Sequence, residues 1–138
     1  MIPELAVEPQ VAETDEGRAY VWRPKRDLVF TRVEGRFAMP HAQLIMDQVD
    51  DAVRANQGKV TIVHDWTAVE SYEVVVHARM SAWAVAVMRS LTRVVIGVTS
   101  PFVALAVRTV NLAVGNRFEV VDTRDKVLAE ARAELARR

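Results

Sequence analysis

Between Lys59 and Leu91 the chain changes its hydrophobic pattern twice. Lys59 to His64 is nearly all apolar or β-branched, the composition of a central strand covered on both faces. The run closes on His64-Asp65-Trp66, at the strand end where open α/β sheets place their working residues. Thr67 to Glu70 reads as a loop and Ser71 as a helix N-cap. From there Tyr72, Val76, Met80, Trp83 and Val87 recur at the three- and four-residue steps of one helix face.

The same patterning extends in both directions. Residues Met1 to Gly17, with Pro3, Pro9 and several acids, read as a loose arm, with a short pairing segment around Leu5 to Val7. Arg18 to Arg23 and Leu28 to Glu34 are β-rich runs flanking the turn Pro24-Lys25-Arg26-Asp27, a hairpin signal. Pro40 starts a helix with Leu44, Ile45, Val49, Ala52 and Val53 on one face, stopped by Asn56-Gln57-Gly58. Val94 to Val98 predicts a strand, Pro101 to Val114 a helix with Ser100 as N-cap, and Arg117 to Val121 a last strand. Thr123 caps a final helix carrying Val127, Leu128, Ala131 and Leu135. The expected order is ββαβαβαβα: an α/β domain over residues 18–138, after an arm at 1–17. Strands alternating with helices predict a mainly parallel central sheet with right-handed crossovers, an N-terminal hairpin and about four helices.

Composition narrows the function classes. Lys plus Arg equals Asp plus Glu at 18 each, so nothing predicts nucleic-acid binding, which needs a basic surface. Zero net charge does little to prevent self-association. The chain has no cysteine, which removes disulfides and thiolate metal sites. Its opening residues lack the basic and apolar regions of a secretory signal, so a cytoplasmic location is the default expectation. Val94 to Gly115 is long enough to span a bilayer, but Thr99-Ser100-Pro101 interrupts it and Arg108 is costly in lipid; a strand, turn and buried helix are expected instead.

Candidate chemistry is sparse. His41, His64 and His77 show no metal-ligand spacing, the serines lack a nucleophile-elbow context, and the glycines form no phosphate loop, so neither metal nor cofactor is expected. Adjacent strand residues face opposite ways, so His64-Asp65 reads as a satisfied core histidine beside a turn-capping carboxylate rather than an acid–base pair.

The order of elements resembles the STAS domain and the related SpoIIAA-like domains, from about Tyr20 to the C-terminus. The most local part of the resemblance is the strand IVHDW followed by TAVES. STAS strands end in Asp, followed by a small polar and a hydrophobic residue and then an Asp-Ser pair opening the next helix. Asp65 matches the first Asp and Val69 the hydrophobic position, while the pair falls at Glu73-Val74. Val74 cannot be phosphorylated, so the phosphate switch of anti-sigma-factor antagonists is not carried over. The resemblance implies a small non-enzymatic module that binds a protein partner or, in some members, a lipid-like ligand.

Five residues are the partner-binding candidates: Asp65, Tyr72, Arg79, Trp83 and Phe102. Tyr72, Arg79 and Trp83 fall on one helical face, and Tyr, Trp and Arg are enriched at interface hot spots. Arg79 has three readings: an interface residue, an arginine snorkelling at a helix edge, or a buried partner of Asp65 or Glu70. The helix after Pro101 is apolar almost all round, which predicts burial, a partner or a homodimer contact. The expectation is a regulatory protein-interaction module. The rival is a small-molecule or lipid carrier with a cavity between the sheet and the Phe102 to Val114 helix, and an enzyme using His64 and Asp65 is the weaker third.

Overall fold

The computed structural model describes residues 5–137. Among those residues six strands form one sheet and four helices cover it. In chain order these are β1 (Gln10–Glu13), β2 (Gly17–Lys25), β3 (Leu28–Phe37), α1 (Met39–Asn56), β4 (Val60–Tyr72), α2 (Val74–Val87), β5 (Leu91–Gly97), α3 (Pro101–Ala113), β6 (Phe118–Val121) and α4 (Arg124–Ala136). A single 3₁₀ turn, Met88–Ser90, joins α2 to β5.

The sheet is mixed rather than mainly parallel. Its strands lie side by side in sequence order; β1, β2 and β3 pair antiparallel, and β3 through β6 pair parallel. The added antiparallel strand, β1, lies within the stretch read as an arm, at Gln10–Glu13 rather than around Leu5 to Val7. Met1 to Glu4 of that stretch fall outside the described residues. The hairpin turn is also tighter than the sequence suggests. Pro24 belongs to β2, at an irregularity of the ladder beyond the last β1 pair, where its missing N–H costs no ladder bond.

Sequential strand order decides where the helices go. Right-handed crossovers that always step the same way put every crossover helix on the same face. Accordingly α1, α2 and α3 pack with Val29, Val33, Ile62, Trp66, Val94 and Ile96, while Phe30, Val63 and Val95 on the other face meet Val127 and Ala131 of α4. Helix ends follow local chemistry. Gln57 takes the left-handed conformation that closes α1, and the Thr123 hydroxyl accepts from the Lys126 N–H at 3.2 Å. Ser100 precedes α3 as expected, but its side chain makes no capping bond. The stretch Val94 to Gly115 divides into β5 and α3, and among the described residues no helix is long and apolar enough to cross a membrane.

α4 sits close to the sheet because Gly97 lets it. A Cβ on Gly97 would lie 2.0 Å from Val127 Cγ2. Gly97→Ala is therefore expected to displace α4 and cost about 1–3 kcal/mol, seen as a lower urea midpoint at unchanged slope. An unchanged midpoint would mean that α4 shifts freely and that this contact does not fix it.

Candidate functional site

β4 is the longest strand, and its length corrects the reading of Thr67 to Ser71. Its first half lies between β3 and β5, with Asp65 opposite Gly97 as the last β5 pair. Beyond that point β4 continues against β3 alone, through Ala68, Val69, Ser71 and Tyr72. The segment is a strand, so Ser71 is not a helix cap and Tyr72 is not on the helix. Glu73 is the N-cap residue of α2 and Val74 its first residue. The Glu73 carboxylate accepts from the Met39 N–H at 2.7 Å, tying the starts of α1 and α2 together. The two residues aligned with the STAS pair thus do open the helix, and Val74 is 83% exposed there.

His64 and Asp65 go to opposite faces of the sheet. Asp65 is 0% exposed. Its Oδ2 accepts from Arg32 Nη1 of β3 at 2.6 Å and from Arg124 Nε of α4 at 3.2 Å. Its Oδ1 accepts from the Thr67 N–H at 3.2 Å and the Thr67 hydroxyl at 2.6 Å. A buried carboxylate with those four donors offers no surface to a partner; it joins β3, β4 and α4. This also removes Arg79 as its partner, since Arg79 is exposed on α2.

His64 faces the α2 and α3 side, 3% exposed. Its Nδ1 lies 2.7 Å from the Thr31 hydroxyl of β3, the residue paired with it in register. Burial pushes its pKa down to about 3, so the imidazole is neutral. Trp66 follows on the same face of β4, its ring centroid 4.4 Å from that of His64. These two side chains line a cavity of about 90 Å³ between the sheet and the inner sides of α2 and α3. Val76, Met80, Ala84, Val103 and Val107 are among its apolar walls.

The outer sides of the same helices are also apolar. Val74, Val75 and Val85 of α2 and Phe102, Leu105 and Leu112 of α3 are exposed, Phe102 at 76%. Arg79 lies among them on α2. Trp83 is half-buried, and its indole N–H donates to Asp50 of α1 at 2.9 Å. Tyr72 is half-buried at the end of β4, its ring centroid 6.0 Å from that of His77. Arg79 and Phe102 therefore belong to an exposed face, Trp83 and Tyr72 line the cavity, and Asp65 lies across the sheet. The exposed valines and leucines had no sequence signal beyond the apolar excess of both helices. The Arg32 and Arg124 pairing joins segments too far apart for spacing to show.

No protein-family model matches the chain, and no curated protein matches its sequence. Solved structures share its fold. A DUF3478-family protein with a SpoIIAA-like fold from Shewanella loihica PV-4 superposes with a TM-score of 0.58 at 10% identity, over 88% of this chain and 90% of that one. The anti-sigma factor antagonist SpoIIAA in its unphosphorylated form gives 0.57 at 14%, over 91% and 97%. An anti-sigma factor antagonist from Mycobacterium paratuberculosis gives 0.52 at 17%, over 95% and 97%. The chain has the SpoIIAA-like fold.

Proposed function

We propose that this chain is a non-enzymatic regulatory module that works by binding a protein partner, and that the outer face of α2 and α3 is the surface it offers. The observation that carries the reading is that face: six large apolar side chains exposed on two neighbouring helices, around Arg79. A patch of that kind marks an interaction site on a soluble domain. The fold supports the reading, because two of the structures it resembles are named anti-sigma factor antagonists. Val74, where the family resemblance places the phosphorylated serine, leaves the binding without a phosphate switch at that position. The partner is a different protein or a second copy of this chain.

The test is affinity capture from the native host, run in parallel with sedimentation. Phe102→Asp with Leu105→Asp is expected to leave the melting curve unchanged, because both side chains are exposed, and to abolish partner retention or dimerisation. Arg79→Ala should weaken the same association by about 2 kcal/mol, close to thirtyfold. Retention of the same partner by the double variant would place the contact elsewhere on the domain.

The cavity supports a second reading, in which the domain carries a small apolar molecule beneath the same two helices.

A further inference from the structure

We infer that the outer face of α2 and α3 takes an acidic amphipathic helix of a different protein, whose carboxylates meet Arg79 and Arg108. The inference rests on the interaction-surface reading above and names the chemistry of what that surface binds.

The zero net charge conceals a division along the chain. Val74 to Arg117, the stretch that holds α2 and α3, contains five arginines and none of the 18 acids. Arg93 turns to glutamates on the α4 side of the sheet, and Arg117 donates to the Met88 and Leu91 carbonyls. Arg79 and Arg108 are exposed, and among the described residues neither has a hydrogen-bond or ion-pair partner. Both lie within the apolar strips rather than apart from them. Arg79 follows Val75 by one turn of α2, and Arg108 falls between Leu105 and Leu112 along α3. Glu73, just before α2, is held by the Met39 N–H. The neighbouring α1 exposes Asp47 and Asp51, so the acid-free surface ends there.

An apolar partner would cover both guanidinium groups and strip their water without replacing it, which is strongly unfavourable. A partner that brings carboxylates replaces that water with paired, charge-assisted hydrogen bonds. Its backbone must also be satisfied. The helices α2 and α3 spend their main-chain groups internally, so an extended segment laid across them would bury N–H and C=O groups with nothing to bond. A helix satisfies its own and presents only side chains.

Two other occupants fit less well. A two-fold pair of this chain would set arginines against arginines, a like-charge contact with no acid to relieve it. A head-to-tail pair would have to use Val7, Val11 or Val120, the other exposed large apolar side chains, and such a contact does not close. A lipid surface suits a helix whose cations lie on the side opposite its apolar residues. Here, burying Phe102, Leu105 and Leu112 in acyl chains would carry Arg108 in with them.

The test uses synthetic peptides stapled as helices of equal length, sharing one leucine face and differing only in the residues beside it: glutamate, glutamine or lysine. Each is titrated into the full chain by fluorescence anisotropy. The glutamate peptide is expected to bind at least tenfold tighter than the glutamine peptide, and the lysine peptide not to saturate. Arg79→Gln with Arg108→Gln should keep the native melt and bring the glutamate and glutamine peptides within twofold of each other. Equal affinities in the native chain, both abolished by Phe102→Asp with Leu105→Asp, would overturn the acidic partner and leave the face an interaction surface. A glutamate preference that survives the loss of both arginines would overturn their role. No saturable binding of any peptide would overturn the acidic helix, while the interaction-surface reading would still be judged by capture from the native host. A dimer, or binding to vesicles of phosphatidylglycerol and phosphatidylcholine, that disappears in Phe102→Asp with Leu105→Asp would overturn the inference by giving the face to a second copy or to a lipid surface.

Discussion

Lowering the pH from 7 to 5 is expected to remove about 2 kcal/mol of folding stability through His64 alone, and full titration about 5 kcal/mol. The cause is burial. An unfolded histidine takes up a proton near pH 6.5, whereas the folded His64 resists it until about pH 3. Between those values the unfolded chain binds more protons, so stability rises with pH across that window. The contribution is complete above about pH 6.5 and is lost as pH falls towards 3. His41 acts in the same direction, because burial lowers its pKa and its Nδ1 accepts from the Ala38 N–H at the start of α1. Glu119 is held below its usual range by Arg93, and Asp122 by Lys126, so their losses come lower still. Urea titrations between pH 7 and 5 therefore isolate the histidines. Against a total of about 5–15 kcal/mol for a domain, the effect is large enough to approach acid unfolding. The His64→Phe chain should show a much flatter profile, with the residue due to His41. A native profile that is flat from pH 7 to 5 would mean that the cavity hydrates the imidazole and lets it charge in place.

What the sequence revealed depended on how each segment is covered. The start of β4 lies between two strands and is buried on both faces, so Val60 to His64 is an apolar run that reads directly as a central strand. α4 was legible for a related reason: Thr123 makes the capping bond its residue type favours, and Val127 and Ala131 fall on the buried face. β1 was missed because it is an edge strand whose Gln10, Val11 and Glu13 are exposed, leaving no alternation to detect. The second half of β4 was missed because β5 no longer pairs with it, and the polar residues tolerated there imitate a capping signal. That error moved the start of α2 and gave Tyr72 a false helical register with Arg79 and Trp83. The apolar excess of Pro101 to Val114 correctly drew attention to α3, but not to which side of it would be solvated. That follows from the sequential strand order, which stacks three helices on one face and leaves the outer side of each uncovered. The cavity depends on how α2 and α3 meet the sheet, and no pattern along the chain specifies that.

Asp65→Ala is expected to cost about 3 kcal/mol and to lower the melting temperature by about 10 °C. The substitution removes the acceptor shared by two guanidinium groups from different parts of the chain. Arg32 suffers most. Its side chain is only 17% exposed, and Glu34 at 3.2 Å is the carboxylate left to it. Arg124 is more exposed and can turn to water, which keeps the expected loss at the lower end for a broken buried pair. The Thr67 N–H and hydroxyl also lose their acceptor, just where β4 leaves its β5 partner. Asp65→Asn should recover part of the loss, since an amide oxygen can still accept from Thr67 while the ion pairs go. Combining Asp65→Ala with Arg32→Met should cost less than the sum of the single changes, because the second removes the guanidinium that the first leaves stranded. Thermal melts of the four chains measure this coupling. Additive losses, or an Asp65→Ala melt matching the native one, would show that the carboxylate does not bind β3 to α4. The exposed Arg79 on the other side of the sheet gives the contrast: its removal should leave the melt unchanged and register only in partner binding. The Asp65 network and the proposed partner surface thus lie on opposite sides of the sheet, and β4 reaches towards both.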